Sequence, residues 1–519
     1  MPTTNKNVRN LERRRDQAQY PRYPGQFFLG PYCVTQVADW QHTAISSSLC
    51  LSSHPTLPVT QVSGDNVDLT CIGYMLDPRA PQLSDTDILT QLRGQTLDLD
   101  ALTAATSHLG GRWVIIARWS EGGSERIAMF HDALGLRQIF HTRTEDGAIW
   151  AATQPGLLAD ILNLQIDPAA KLFMTSAKFR RHREYQWPGS ATAFSEISHL
   201  LPNHALDLQS QQVIRYWPRR APTPISPESA KIQLKKLFEG LVLAAANRFP
   251  LVVGLTAGLD SRLVLAASRS IVNRMSFITV QQSQFDDDHR DVAIATRLAT
   301  RFGLSHIVVA AAHTTSPDFA YAFKSNVFCA HEHYAADAEA LYEHFQRQSV
   351  ALTGSAGEVG RVCPGFTSPV SDLADLNATH LAEMQKMPQV PFVAKAFANW
   401  LADARDIGDF DMLDLFDWEQ EHGNWLAMTQ LEFDMAWRDI FTPFNCRDVL
   451  TTLLSVPESE RSAPNYRLIT DIIKTMWPEL LSEPVNPGDR APDNELRKIK
   501  SLLKSNLAAC LSMLRRLFQ

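Results

Sequence analysis

The segment with the clearest chemical content reads Thr-Ala-Gly-Leu-Asp-Ser from Thr256 to Ser261 and follows an apolar run. Small residues at Ala257 and Gly258 let backbone N–H groups approach a phosphate, and the Thr256 and Ser261 hydroxyls donate hydrogen bonds to it. Asp260 supplies a carboxylate of the kind that holds Mg²⁺ against a phosphate. These residue types in this order predict a phosphate-binding loop at the start of a helix.

A single segment of this kind is also compatible with an ordinary strand–turn–helix corner, so two further segments matter. The acidic run from Asp286 to Asp288 opens a predicted helix, and capping of that helix is the role we expect of Asp287 and Asp288. The stretch from Thr353 to Glu358 is glycine-rich, ends in an acid and follows another apolar run. Three segments in such positions favour a binding site over an isolated turn.

The elements that must position these segments alternate between strand and helix. We predict, in chain order, strand 251–255, helix 261–270, strand 276–280, helix 288–302 with Gly303 at its C′ position, and strands 306–309 and 349–353. Continuous apolar strands separated by helices predict an α/β fold with a doubly wound parallel sheet. In such a sheet the ligand site lies beyond the carboxyl ends of the strands, where the strand order reverses.

The remaining composition divides the chain into four regions. Residues 1–25 are charged and lack an apolar period, which predicts a flexible arm. Residues 26–215 contain short β-type runs broken by glycine-rich turns, and residues 216–228 contain four prolines and form a predicted linker. Residues 229–519 hold the strand–helix alternation and a helix-rich C-terminal part. Two domains, one rich in sheet and one α/β, are therefore expected.

Charge and composition exclude several classes of protein. The net charge of −7 provides no basic field for a nucleic acid, and no stretch has the apolar length of a membrane span or of a signal segment. The seven cysteines are scattered without a Cys-x-x-Cys pair, and His331-Glu332-His333 lacks a further ligand. We therefore expect neither a disulfide framework nor a structural zinc site, and we expect a cytoplasmic protein with no nucleic-acid or membrane partner. An oligomer is compatible with the sequence.

The three strand-end segments resemble those of ATP pyrophosphatases, most closely of the asparagine synthetases and their β-lactam- and lasso-peptide-forming relatives. Residues 441–448 are similar to the Pro-Phe segment of that family, and residues 110–116, 131–140 and 151–154 resemble its glutamine-hydrolysing half. The resemblance runs across nearly the whole chain. It implies a sheet-rich, Ntn-hydrolase-like αββα domain followed by an ATP-pyrophosphatase domain.

The resemblance also implies a set of site residues, with ATP and Mg²⁺ as cofactors. It places Asp260 and Glu358 on the metal, and it gives catalytic roles to Asp260, Ser261 and Glu358. Glu432 is a candidate base by rough position, although an exposed helix glutamate is the favoured alternative. The residues implied at ATP and pyrophosphate are Leu255, Thr256, Ala257, Gly258, Leu259, Asp260, Ser261, Val280, Gly354 and Arg490.

The sequence departs from the family pattern at several of these positions. Thr256 and Ala257 replace serine and glycine, and Ser355 stands where relatives have glutamate or tyrosine. The pyrophosphate-holding lysine has no counterpart other than Arg490 as a charge. A working glutaminase has cysteine after the initiator methionine, whereas this chain has Pro2, and a secondary amine without a thiol forms no thioester.

Together these patterns predict an AMP- and pyrophosphate-forming amide or lactam synthetase without glutaminase activity. It adenylates a carboxylate of a small molecule or peptide so that an amine captures the acyl group. One alternative is an asparagine-synthetase-like amidotransferase that uses ammonia. The other is a nucleotide-binding scaffold whose catalysis has decayed.

Overall fold

The computed structural model describes residues 20–487 except 36, 38, 96–97, 122–123, 182–183, 363–368 and 371–372, so that Pro2 and Arg490 lie outside the described residues. The described strands are β1 (Phe27–Gly30), β2 (Gln41–Ser46), β3 (Leu49–Ser53), β4 (Val59–Val62), β5 (Val67–Leu76), β6 (Gly110–Glu121), β7 (Ser124–His131), β8 (Phe140–Arg143), β9 (Ile149–Ala152), β10 (Ser198–His199), β11 (His204–Asp207), β12 (Val213–Arg215), β13 (Leu251–Gly254), β14 (Ser276–Gln281), β15 (His306–Ala310), β16 (Val350–Leu352) and β17 (Asp439–Phe441).

The helices of the described chain begin in the N-terminal half and dominate the C-terminal third. They are α1 (Asp85–Arg93), α2 (Leu99–Ala105), α3 (Pro155–Leu162), α4 (Pro168–Thr175), α5 (Ala177–Arg181), α6 (Pro227–Arg248), α7 (Leu259–Ala267), α8 (Arg290–Phe302), α9 (Pro317–Asn326), α10 (Ala335–Phe345), α11 (Ala378–Met384), α12 (Pro391–Asp403), α13 (Met412–Phe416), α14 (Ala427–Phe433), α15 (Arg447–Leu454), α16 (Glu458–Arg461) and α17 (Arg467–Met476). A π-helical segment, Asp417–Leu426, joins α13 to α14.

The N-terminal half contains two antiparallel sheets packed face to face. Their strand orders are β10-β8-β9-β1-β3-β2 and β12-β11-β7-β6-β5-β4. Alternate residues of β6 serve different layers, since Val114 and Ile116 pack between the sheets while Trp113 and Ile115 pack under α1 and α2. Helix α3 covers the outer face of the first sheet. The order of layers is therefore helix, sheet, sheet, helix.

A disulfide links two of the cysteines in this half. Cys33, in the loop after β1, is bonded to Cys50 of β3, with a Cα–Cα distance of 5.2 Å. The expectation that disulfides are absent is therefore wrong for this pair. The spacing of the cysteines in the sequence did not indicate this disulfide. Cys33 and Cys50 are 17 positions apart, and only the folding of the sheet brings them together.

The C-terminal half is built on a parallel sheet with the order β15-β14-β13-β16-β17 within the described residues. One face packs against α6, α7, α8 and α17, and the other packs against α10 and the segment around Trp437. Burial on both faces explains the continuous apolar strands. The α/β class and the four predicted strands of this sheet are confirmed. The three residues of β17 gave no signal in the sequence because the strand is too short for a pattern.

The segment between the two halves is held against the core rather than extended. Trp217 packs on Phe410 and Trp418, with ring centroids 5.0 and 4.8 Å away. Ser226 caps α6 by accepting a hydrogen bond from the Ser229 N–H. The helix begins at Pro227, so the last two residues of the predicted linker are helical.

Residues 20–25, at the C-terminal end of the predicted arm, pack against the rest of the structure. Tyr20 packs edge-on against Phe319 and Tyr342, and the Tyr23 N–H donates to Asn326 Oδ1 at 2.7 Å. Residues 20–25 therefore belong to the folded body, because contacts about 300 positions away hold them. Among the described residues, no helix has both the length and the apolar character needed to cross a membrane.

Candidate functional site

The loop after β13 is held in shape by its own hydroxyl groups. The Thr256 Oγ1 accepts a hydrogen bond from the Gly258 N–H at 3.0 Å and lies 3.0 Å from Ser261 Oγ. Gly258 is the N-cap residue of α7 and has no side chain to cap the helix. The first turn of α7 therefore presents backbone N–H groups and a positive dipole end to this loop, which are features of an anion site.

A second anchor of the loop comes from the first turn of α8, directly after the acidic run. The Ala257 N–H donates to Asp291 Oδ1 at 2.9 Å. The residue that caps α8 is His289, so the capping roles expected of Asp287 and Asp288 are wrong. Asp287 instead accepts a hydrogen bond from the Gln281 side chain. The carboxylate that reaches the loop is therefore Asp291 of α8.

Asp260 lies between this loop and the glycine-rich segment after β16. A Cβ atom at Gly354 would lie 2.7 Å from the backbone carbon of Asp260, and one at Gly357 would overlap with Asp260 Oδ1. Ala356 between them adopts a left-handed φ of 71°, which turns the segment sharply. Both glycines are therefore required by close approach. β13 and β16 are neighbours where the strand order reverses, so the two segments meet at the predicted edge.

One positive and one negative side chain lie next to Asp260. Arg361 Nη2 lies 2.7 Å from Asp260 Oδ2 and 3.0 Å from Glu358 Oε1. Burial raises the pKa of Asp260 to about 7, while the charge of Arg361 opposes this rise and that of Glu358 adds to it. The buried Asp260 Oδ1 has no hydrogen-bond partner. A buried orphan carboxylate oxygen beside a second carboxylate fits a hard divalent cation such as Mg²⁺.

A further acidic residue, which the sequence patterns did not single out, lies near this pair. Burial, together with the charges of Asp414 and Glu358, raises the pKa of Asp417 to about 8. Asp417 begins the π-helical segment between α13 and α14. The signal for Asp417 in the sequence was an aspartate inside an apolar stripe that includes Trp418. Short π-helical segments are frequently found at functional sites.

The C-terminal end of the described chain packs against the same loop. The buried Arg262 donates to the carbonyls of Leu480 and Glu483, at 3.2 and 2.6 Å, and to that of Ala257 at 3.3 Å. The Asn486 N–H donates to the same Ala257 carbonyl. Arg490 lies outside the described residues, and its role at pyrophosphate stays a prediction.

The other residues implied at ATP occupy two kinds of position. Leu255 and Leu259 are buried in the core beneath the loop, together with the Ala257 methyl group, and so they shape the loop through its backbone. Val280 is half-buried near the carboxyl end of β14, the strand beside β13. Contact of these residues with ATP stays a prediction.

Glu432 lies on α14 and is not exposed, and its role as a base stays a prediction. Its side chain is buried, and the His331 ring lies 2.9 Å from both carboxylate oxygens. The idea that it is an exposed helix residue is therefore wrong. Glu432 follows Asp417 by about 15 residues in one helical stretch, and so by roughly 20 Å along the axis. The structure pairs Glu432 with His331 rather than with Asp260.

Comparisons with known proteins add little to this geometry. No family model matches the chain, and no curated protein matches it. Among solved structures, glutamine phosphoribosylpyrophosphate amidotransferase from B. subtilis, in complex with ADP and GMP, aligns at 10% identity and a TM-score of 0.22 over 66% of this chain and 71% of that one. Glutamine-dependent NAD⁺ synthetase from Acinetobacter baumannii, in complex with ADP, aligns at 17% identity and a TM-score of 0.18 over 44% and 45%. TM-scores this low do not establish a shared fold.

Proposed function

We propose that this protein is an ATP-dependent synthetase of the asparagine-synthetase type that forms an amide or lactam. In this proposal residues 26–215 are a degenerate Ntn-hydrolase-like domain, and residues 229–519 are the ATP-pyrophosphatase domain. A substrate carboxylate attacks the α-phosphate of ATP, which gives an acyl-adenylate and pyrophosphate. An amine of the same or another substrate then attacks the acyl carbon and releases AMP.

One observation carries the proposal, which is the position of Asp260 between two glycine-containing loops at the strand-order reversal. The loop from Thr256 to Ser261 offers backbone N–H groups and a helix N-terminus to phosphate oxygens. Glu358 is 48% exposed beside Asp260, so the carboxylate pair borders solvent where a nucleotide arrives. Mg²⁺ bound by this pair would neutralise phosphate charge.

In this proposal the nucleophile is an amine rather than glutamine-derived ammonia. We therefore expect no glutamate release when glutamine is offered. The amine and the carboxylate belong to a small molecule or a peptide in this proposal.

Arg361 favours a second candidate, a nucleotide-binding scaffold without catalysis. Its guanidinium pairs with both Asp260 and Glu358, where the proposed synthetase holds a metal ion. A permanent ion pair there would neutralise the carboxylates without Mg²⁺. The two candidates differ in the magnesium dependence of ATP binding and in pyrophosphate release.

The test is calorimetric titration of the full chain with ATP, with and without Mg²⁺. We expect Mg²⁺-dependent binding that Asp260→Asn abolishes and that Asp287→Asn, an exposed acid in the run before α8, leaves unchanged. A pyrophosphate-release screen over carboxylate and amine pairs follows, with AMP measured beside ADP. Formation of ADP, or ATP binding that ignores Mg²⁺ and Asp260, would contradict the synthetase, and the second result would favour the scaffold.

A further inference from the structure

A cluster of sulfur and nitrogen ligands lies in the first antiparallel sheet, which does not contribute to the ATP site. Cys33, His42 and Cys50 each provide one ligand atom, and these atoms lie within 4.8 Å of one another. The two sulfurs are joined as a disulfide. His42 is exposed on β2, which is the edge strand of the sheet. Cysteine sulfur and imidazole nitrogen are preferred ligands of Zn²⁺.

The sheet register explains why these residues meet. Cys50 of β3 is paired with Gly30 of β1 on one side and with Ala44 of β2 on the other. His42 lies two residues before Ala44 on the same strand. Since side chains alternate between the faces of a strand, His42 and Cys50 share one face of the sheet. The loop after β1 brings Cys33 onto that face.

A buried serine ties the loop and the imidazole together. Ser52 Oγ accepts a hydrogen bond from the Val34 N–H at 3.0 Å and lies 3.0 Å from His42 Nδ1. A hydrogen bond at one ring nitrogen fixes the orientation of the other, as partners behind the ligands do in metal sites. The ligand positions are therefore held by the sheet and by Ser52, and not by the disulfide alone.

We propose that Cys33, His42 and Cys50 form a redox-gated zinc site. The closed disulfide leaves no thiolate for the metal. Reduction by a dithiol transfers two electrons and two protons to the sulfur–sulfur bond, leaving two thiols here and a disulfide in the reductant. Zn²⁺ then binds both sulfurs and the imidazole, the two thiol protons are released, and water takes the fourth position.

The surroundings favour redox-dependent metal binding at Cys33 and Cys50 over the other described cysteines. The edge position and the exposed imidazole admit a small dithiol and a metal ion. Cys71 and Cys446 are buried and Cys329 is half-buried, and burial raises the pKa of all three thiols, those of Cys329 and Cys446 to about 12. A raised pKa disfavours metal binding at these thiols near neutral pH, because the thiolate is the ligand.

The test compares the full chain in its oxidised and reduced forms, with Co²⁺ as an optical probe and Zn²⁺ as its competitor. After anaerobic reduction with dithiothreitol and removal of the reductant, we expect one ion per chain with thiolate-to-cobalt absorption, which Zn²⁺ abolishes. The oxidised form is expected to bind none. This comparison needs no variant and therefore does not depend on a variant's folding.

Two variants then assign the ligands in the reduced protein. We expect His42→Ala to weaken Zn²⁺ binding at least tenfold, whereas His54→Ala, a histidine in the same sheet region outside the cluster, leaves it unchanged. Cys50→Ser is expected to remove the thiolate absorption. Equal metal binding by oxidised and reduced protein, no stoichiometric binding after reduction, or equal affinities of the two histidine variants would each overturn the proposal.

Discussion

The tightest constraint in the proposed ATP site is the space around one carboxylate. Asp260 is enclosed by Gly354 and Gly357, whose missing Cβ atoms leave room for it. Arg361 and Glu358 complete its charged surroundings. Small changes in side-chain volume or charge should therefore have effects here that they lack a few residues away.

We expect Gly357→Ala to weaken Mg²⁺-dependent ATP binding at least tenfold while the fold remains. The added methyl group would overlap with Asp260 Oδ1 and displace the carboxylate. Gly254→Ala is the matched control, since its Cβ would meet only the Leu352 carbonyl oxygen at 3.9 Å. Titration calorimetry measures both, and equal affinities would show that Asp260 does not bind the ion.

Asp417 should make stability depend on pH in Mg²⁺-free buffer. Its folded pKa of about 8 lies above the ordinary 3.8, so the folded state holds the proton more tightly. This stabilisation is complete below about pH 4 and is lost as pH rises through about 8. We therefore expect Asp417→Asn to be more stable than the wild type by over ~1 kcal/mol at pH 9. Urea unfolding from pH 5 to 9 measures this gain, which the exposed Asp288→Asn should not show.

At the scale of elements, the loop after β13 depends on segments that are distant in the chain. Asp291 of α8 holds the Ala257 N–H, and the segment around Glu483 is held by Arg262 of α7. The loop is thus clamped from two directions. The C-terminal segment is a structural part of the site, whatever Arg490 contributes beyond it.

We expect Arg262→Met to lower the free energy of unfolding by about 3 kcal/mol, because it removes hydrogen bonds from a buried cation to four carbonyl groups. The segment 478–487 should also become sensitive to protease. Urea unfolding and limited proteolysis with mass spectrometry test both effects. Arg274→Met, at a more exposed arginine, should change stability by less than ~0.5 kcal/mol. Unchanged proteolysis of Arg262→Met would mean that other contacts hold the segment.

At the scale of the whole molecule, buried charges join the two halves. Arg112 of β6 lies 2.7 Å from Asp434 and 3.0 Å from Asp439, and Arg137 lies 2.6 Å from Asp439. All four side chains are nearly or fully buried. The N-terminal half is therefore a packing partner of the C-terminal half.

We expect Arg137→Met to lower the free energy of unfolding by about 3–5 kcal/mol, since it leaves the buried charge of Asp439 under-compensated. Adding Asp439→Leu should recover part of the loss, and Arg79→Met at the exposed pair with Asp448 should change stability little. Chemical denaturation of the wild type, the single variants Arg137→Met and Asp439→Leu, and the double variant gives the coupling energy. Additive losses would show that the pair does not couple the halves.

Much of the site was predictable because its signals are local. The apolar strands, the small residues at Ala257 and Gly258, and the acid at the end of the second glycine-rich segment are patterns within a few residues. Parallel strands of such patterns have few arrangements, and all place their carboxyl ends together. The sequence by itself thus determined the α/β class, the parallel sheet and the meeting of Asp260 with Glu358.

Other features depended on which distant segments become neighbours. Cys33 is bonded to Cys50 of a neighbouring part of the sheet, and Glu432 contacts His331, which is 101 positions away. Asp417 of the π-helical segment lies near Glu358 of the glycine-rich segment after β16. No pattern within a short segment encodes such a meeting, because it follows from how whole elements pack. Burial and charge then change the chemistry of each residue after the packing is complete. Only the tertiary structure could decide that a presumed surface glutamate is a buried partner, and that scattered cysteines form a pair.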